Sequence, residues 1–162
     1  MPLNVLILCT GNSARSILGE ALITHVSQGL AQGYSAGSHP AGQVNPVALE
    51  TLARHGVPTP NPRSKCWDEF AAPDAPKMDI VITVCDSADK ETCPVWPGAP
   101  VQVHWGIPDP AHVEPLEARR EAFEIAFQTL KWRFEQFFAS DVLAMSAAER
   151  KTFLQQIARE AA

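Results

Sequence analysis

The chain has 162 residues, 46% of them hydrophobic and 19% charged, with a formal net charge of −5. That balance fits one globular domain and excludes a disordered chain or a solenoid. The acidic sum argues against a general nucleic-acid binder, which needs a basic surface to displace counterions from phosphates. Val5 to Cys9, the longest apolar run, is far too short to cross a bilayer and follows no basic residue as a signal peptide would. The expectation is a protein that keeps to the cytoplasm, without membrane or nucleic-acid partners. Four cysteines in such a chain read as thiols rather than structural disulfides.

Leu3 to Cys9 is a continuous apolar run, read as a strand buried on both faces. The polar turn Thr10-Gly11-Asn12-Ser13 follows. Ala14, Leu18, Ala21, Leu22 and His25 then recur at helical spacing, which predicts a helix from near Arg15 to about Gln28, ended by Gly29 and Gly33. Tyr34 to Gly37 is a weak second strand. Val47 to His55 forms a second helix stopped by Gly56, and Gly56 to Arg63, with three prolines, is a surface loop. Asp79 to Cys85 is the clearest central strand, and Val101 to Trp105 is a shorter one. Pro115 opens a long amphipathic helix whose buried face carries Phe123, Phe127, Leu130, Phe134 and Phe137 and which ends near Phe138. Ser146 and Glu149 form a capping box for a last helix containing Phe153, Leu154 and Ile157.

Alternating strands and helices imply an α/β fold, a single-domain parallel sheet with helices on both faces and ligands at the carboxyl ends of its strands. Residues 1–138 are read as the functional domain. Residues 139–162 are read as a helical extension packed on it.

Cys9 lies at the end of the first strand, and Arg15 follows six residues later at the start of the first helix. A bare Cys-x5-Arg spacing is weak evidence, but its strand-turn-helix context adds chemistry. The small polar residues Thr10, Gly11, Asn12, Ser13 and Ala14 can curl their amides into a nest at a helix N-terminus, which binds a tetrahedral oxyanion. Gly11 is read as permitting close backbone approach. Arg15 is the only Lys or Arg before Arg54, and its planar fork could grip two oxygens of that anion. The same fields stabilise negative charge on the sulfur of Cys9, and Ser16 could add a hydrogen bond. Without that context, Cys9 would read as a core thiol and Arg15 as a surface residue.

The octapeptide Cys9-Thr10-Gly11-Asn12-Ser13-Ala14-Arg15-Ser16 resembles the phosphate-binding loop of low-molecular-weight tyrosine phosphatases and of arsenate reductases built on the same fold. The likeness runs from Asn4 to about Phe138, through Tyr34-Ser35-Ala36-Gly37, Arg63-Ser64-Lys65, Val81-Ile82-Thr83-Val84-Cys85 and His104-Trp105 to Asp109-Pro110. It implies a nucleophilic role for Cys9 and a general-acid role for Asp109, which on its own would pass for a turn residue between prolines. His104 and His112 are the alternatives.

Hydrolysing a phosphate ester needs one cysteine and a water, whereas reducing arsenate needs two electrons, which thiols supply by ending as a disulfide. Cys85 ends the second buried run, and Cys93 follows after the polar stretch Asp86 to Thr92. This segment is similar to the redox segment of thioredoxin-coupled arsenate reductases, in which the first cysteine attacks the nucleophile and the second attacks the first. The resemblance implies arsenate reduction as part of arsenic detoxification. Phosphate or sulfate would compete, and thioredoxin or glutaredoxin would serve as external thiol reductant, with no bound cofactor. The spacing has seven intervening residues where a typical member has six. Asn12, Glu20 and Ser35 resemble cation-binding residues, but Lys65 stands where some members carry an acidic ligand, so no metal is expected. Cys66 has no role in this scheme. The alternatives are a phosphomonoester hydrolase of the tyrosine phosphatase type, and a thiol sensor or metal-binding module using Cys85, Cys93 and His104. The latter lacks the paired Cys-x2-Cys of structural zinc sites.

Overall fold

A computed structural model describes residues 2–59, 62–84 and 100–160. In chain order these form β1 (Leu3–Cys9), α1 (Arg15–Ser27), β2 (Ala31–Gly37), α2 (Pro46–Arg54), a 3-10 turn (Trp67–Phe70), β3 (Ile80–Thr83), β4 (Val101–His104), α3 (Leu116–Phe138) and α4 (Ala147–Glu160). The strands make one parallel sheet in the order β2-β1-β3-β4. None of the described helices is long and apolar enough to cross a membrane.

Both faces of the sheet are covered, as the continuous apolar runs require. Leu3, Val5 and Ile7 of β1 and Ile80 and Ile82 of β3 join one core with Ile17, Leu18, Leu22 and Ile23 of α1, Val47 and Leu52 of α2, and the aromatic face of α3. Leu6, Leu8, Ala36 and Val81 pack on the other side against Trp67, Phe70 and Met78. A four-residue 3-10 turn has no periodicity for a sequence pattern to reveal. The predicted α3 face is fully borne out, since Phe123, Phe127, Leu130, Phe134 and Phe137 are all buried.

The end of α1 near Gln28 is as expected, but the start of β2 and the place of Gly33 differ from the sequence reading for a steric reason. α1 ends on Gln28 and Gly29, both in left-handed conformation, whereas Gly33 lies inside β2. A Cβ on Gly33 would stand 2.2 Å from the main-chain oxygen of Glu20, so the glycine lets α1 cross close above the strand. That crossing extends β2 back to Ala31 through residues of poor strand propensity. At the other end of the chain the predicted capping box is present: Ser146 N–H donates to Glu149 Oε1 at 3.0 Å, and Glu149 N–H to Ser146 Oγ at 3.2 Å.

The carboxyl ends of β1 and β2 meet at a second demanding glycine. Cys9 pairs with Gly37, and a Cβ there would lie 2.4 Å from Thr10 O and 2.9 Å from Cys9 O. Both are backbone atoms with no rotamer to yield. Gly37→Ala should therefore displace the 10–14 loop and weaken inorganic phosphate binding more than tenfold while far-UV circular dichroism stays native. Unchanged affinity would show that the loop tolerates the methyl group.

α2 is fastened to α3 by charge. Glu124 accepts from Arg54 at 2.7 Å, lies 2.8 and 2.9 Å from His55 Nε2 and accepts from Gln128 at 2.8 Å, while the His55 ring stacks on Phe127. Burial alone would raise the Glu124 carboxyl, but hydrogen bonds from Gln128, His55 and Arg54 overcome it and hold the group at about 2. A carboxyl lowered on folding contributes stability above its unfolded value, near 4.5, and loses it as pH falls toward 2. Urea unfolding should accordingly show a steeper loss of stability below pH 4.5 in the wild type than in Glu124→Gln; parallel pH curves would remove Glu124 from the acid response.

Candidate active site

The 10–14 turn is held from outside by its carbonyls. His39 N–H donates to Thr10 O at 2.9 Å, Ala41 N–H to Gly11 O at 2.8 Å and Asn45 N–H to Ser13 O at 2.9 Å, while Ser64 Oγ adds a second bond to Gly11 O. A trans peptide directs its N–H opposite to its C=O, so the amides of Gly11, Asn12 and Ala14 are turned away from these partners. They lead directly into α1, whose N-cap, Ala14, makes no side-chain cap bond to the first-turn amides. The result is a concave run of donors at a helix N-terminus, reinforced by the helix dipole.

Asn12, not Gly11, carries the unusual backbone of the turn, with φ of 46°. A Cβ on Gly11 would meet only Ser13 Oγ at 3.7 Å, an ordinary contact, so no protein atom requires that glycine. The fully buried Asn12 side chain accepts from Lys65 N–H at 2.8 Å through Oδ1 and donates from Nδ2 to Ser16 Oγ at 2.8 Å. Ser16 Oγ also lies 2.9 Å from Cys9 Sγ, and toward a thiolate it is the hydroxyl that must donate. With the sulfur as a thiolate, every donor in this buried chain points toward it.

Arg15 closes the site. Its Nη1 donates to Ile107 O at 3.1 Å, and Nη2 lies 3.5 Å from Asp109 Oδ2. Asp109 Oδ1 accepts from Ala111 N–H at 2.9 Å, which fixes the orientation of the carboxyl. The structure thus brings Cys9, the turn residues Thr10 to Ala14, Arg15, Ser16 and Asp109 to one edge of the sheet. His112, highly exposed, stands 4.0 Å from Asp109 Oδ2. His104 Nδ1 is 2.7 Å from Thr83 Oγ1. Tyr34 packs edge-on against Phe70 beneath β2, and Cys66 is a half-buried free thiol bridged to Gly37 through the backbone. Cys85 and Cys93 lie outside the described residues.

Lys65 settles the chemistry around Glu20 and Ser35. Its ammonium is 3.0 Å from Arg63 O, 3.3 Å from Ser35 Oγ and 3.6 Å from Glu20 Oε1, and the residue is 7% exposed. A metal ion on these oxygens would stand against that ammonium, so the residues do not fit a bound cation; the lysine supplies the positive charge itself. Burial pushes the Glu20 carboxyl up and the Lys65 ammonium down, each opposed by the charge of the other.

Comparison with known proteins agrees with this geometry. The family model described as low molecular weight phosphotyrosine protein phosphatase matches residues 4–152. Arsenate reductase 2 of Staphylococcus epidermidis is 35% identical over 128 residues, 78% of this chain and 94% of that protein. The arsenate reductase of Bacillus subtilis is 36% identical over 117 residues, covering 72% of this chain and 80% of its own. The solved arsenate reductase of Archaeoglobus fulgidus, 26% identical, superposes with a TM-score of 0.64 over 84% of this chain and 99% of its own. With the family model matched over residues 4–152 and relatives of 35% and 36% identity covered over most of their length, the chain belongs to the low molecular weight phosphotyrosine protein phosphatase family.

Proposed function

We propose that this protein reduces arsenate to arsenite. Residues 1–138 would carry the chemistry and 139–162 form an extension on the same domain. The observation that carries the reading beyond simple hydrolysis is a backbone bond: Val84 N–H donates to Leu8 O at 2.9 Å. The residue before Cys85, just past the end of β3, is thus bonded to the residue before Cys9 in the neighbouring strand β1, and the curated relatives named above are arsenate reductases.

Arsenate enters the amide nest with Arg15 across two of its oxygens. The Cys9 thiolate, supported by Ser16, attacks arsenic and forms an S–As bond, while the departing oxygen takes a proton from Asp109 and leaves as water. The Cys85 thiolate then attacks Cys9 Sγ. A Cys9–Cys85 disulfide forms, the S–As bond breaks and its electron pair stays on arsenic, which leaves as arsenite. Attack of Cys93 on Cys85 frees the Cys9 thiolate and leaves a Cys85–Cys93 disulfide. An external dithiol protein of the thioredoxin or glutaredoxin class reduces that bond and is itself oxidised.

The test assays arsenate reduction with a thioredoxin system, a glutaredoxin system and neither, alongside aryl-phosphate hydrolysis. Cys9→Ser should abolish both activities with the fold intact. Cys85→Ser should block arsenite release but spare hydrolysis, and Cys93→Ser should stop after one turnover with the Cys9–Cys85 disulfide trapped in peptide maps. Normal turnover of both variants would assign the reduction to direct attack by an external thiol. Hydrolysis by the wild type without any arsenite would make the protein a phosphatase.

The internal ammonium yields a separate expectation. Replacing potassium by sodium at constant ionic strength should change the single-turnover rate less than twofold. A marked potassium requirement would mean that a metal cation displaces Lys65.

A further inference from the structure

Trp105 is fully buried, and a buried indole N–H needs an acceptor. The acceptor comes from the far end of the chain: Nε1 donates to Leu154 O, inside α4, at 2.8 Å. A helical carbonyl keeps a second lone pair beyond its ladder bond, so this contact leaves α4 intact. The ring is further held by Phe134, with centroids 5.2 Å apart, and by the guanidinium of Arg133, 5.6 Å above it. Arg133 is itself buried, and its Nε and Nη1 find no hydrogen-bond partner among the described residues, so the aromatic face is its available counter-surface. Leu154 and Ile157 bury the same face of α4 in the core.

Trp105 also begins the segment that ends on Asp109. Its N–H donates to Thr83 O at 2.7 Å, Ile107 N–H donates to Val84 O at 3.1 Å, and Ile107 O accepts from Arg15 at 3.1 Å. Pro108 and Pro110 restrict φ on both sides of Asp109. Gly106 is the one permissive joint in this stretch, and it lies between the two anchored residues. A shift of Trp105 and Gly106 would pull on Ile107 and carry the Asp109 carboxyl off Arg15, and the indole bond to Leu154 opposes that shift.

We propose that Trp105 is a positioning residue through which α4 holds the Asp109 carboxyl in place, so that the C-terminal helix sets the rate of the proton-assisted displacement without touching the anion. This rests on the reading of Asp109 as the acid. A misplacement of an acid by a fraction of an ångström slows its step without altering the affinity of the loop.

The test compares single-turnover arsenate reduction in the full-length wild type, Trp105→Phe, Asp109→Asn and the double variant, with phosphate competition reporting affinity. Trp105→Phe keeps an aromatic ring and removes the donor. It should slow the first displacement roughly tenfold in the wild-type background, less than twofold in the Asp109→Asn background, and leave phosphate affinity within twofold. An equal slowing in both backgrounds would show that Trp105 acts through something other than Asp109, and a wild-type rate for Trp105→Phe beside a slowed Asp109→Asn would remove its role; either result overturns the proposal. A wild-type rate for Asp109→Asn itself would instead discard the acid assignment, and the proposal with it. If Trp105→Phe does not fold, Leu154→Ala, which thins the seat of α4 and leaves the indole in place, takes its position in the same four-way comparison.

Discussion

The active edge depends on one constraint: the backbone between Cys9 and Arg15 must turn sharply enough to aim consecutive amides the same way, and nothing within the turn can force it to. The restraint comes from outside. Residues 39–45 and Ser64 take up its carbonyls, and Gly37 leaves the room in which it lies against β2. Asn12 accepts the cost of a left-handed conformation because both ends of its amide are bonded there. A loop held in this way does not have to reorganise when negative charge arrives, which is where preorganised donors have their greatest effect.

The sheet brings the remaining groups to that loop by simple geometry. The four strands among the described residues run parallel, so β1, β3 and β4 deliver their C-terminal residues to the same edge. Arg15 then links α1 to the segment after β4, through Ile107 and Asp109. Cys9 at the end of β1, Arg15 at the start of α1 and Asp109 beyond β4, the proposed nucleophile, cation and acid, thus meet from two stretches of chain. The positive charge at Glu20 and Ser35 is likewise part of the chain, carried by Lys65 from the loop that supplies the main-chain donor to Asn12.

Much of this was legible in the sequence because it is periodic or local. The β1 run, the α3 stripe of phenylalanines and the Ser146–Glu149 box each declare themselves within one element. Cys9, Arg15 and Ser16 were legible because strand, turn and helix follow one another without a gap. What escaped was steric and non-local. Gly33 resembled a helix stop because composition does not show Glu20 O passing 2.2 Å from its missing Cβ. Gly37 was visible as part of a motif, yet its service to a loop 23 residues earlier required the register of β1 and β2. Lys65 was legible as a departure from an acidic ligand, but only its reach to Ser35 and Glu20 shows how the charge is satisfied. The union of Trp105 with Leu154 joins positions 49 apart, with no pattern between them.

The Asn12 amide has a bearing on how such a protein ages. Asparagine followed by serine is open to spontaneous deamidation, in which the next main-chain nitrogen attacks the side-chain carbonyl carbon and a carboxylate results. A carboxylate has no proton to give. At position 12 it would compete with sulfur for the hydroxyl hydrogen of Ser16 and set a negative charge beside Cys9. Two of these bonds oppose this, since the amide, held at both ends with its backbone at φ of 46°, must break them to offer its carbon to the Ser13 nitrogen. Order in the resting loop thereby guards the residue whose chemical decay would reverse the polarity of the site.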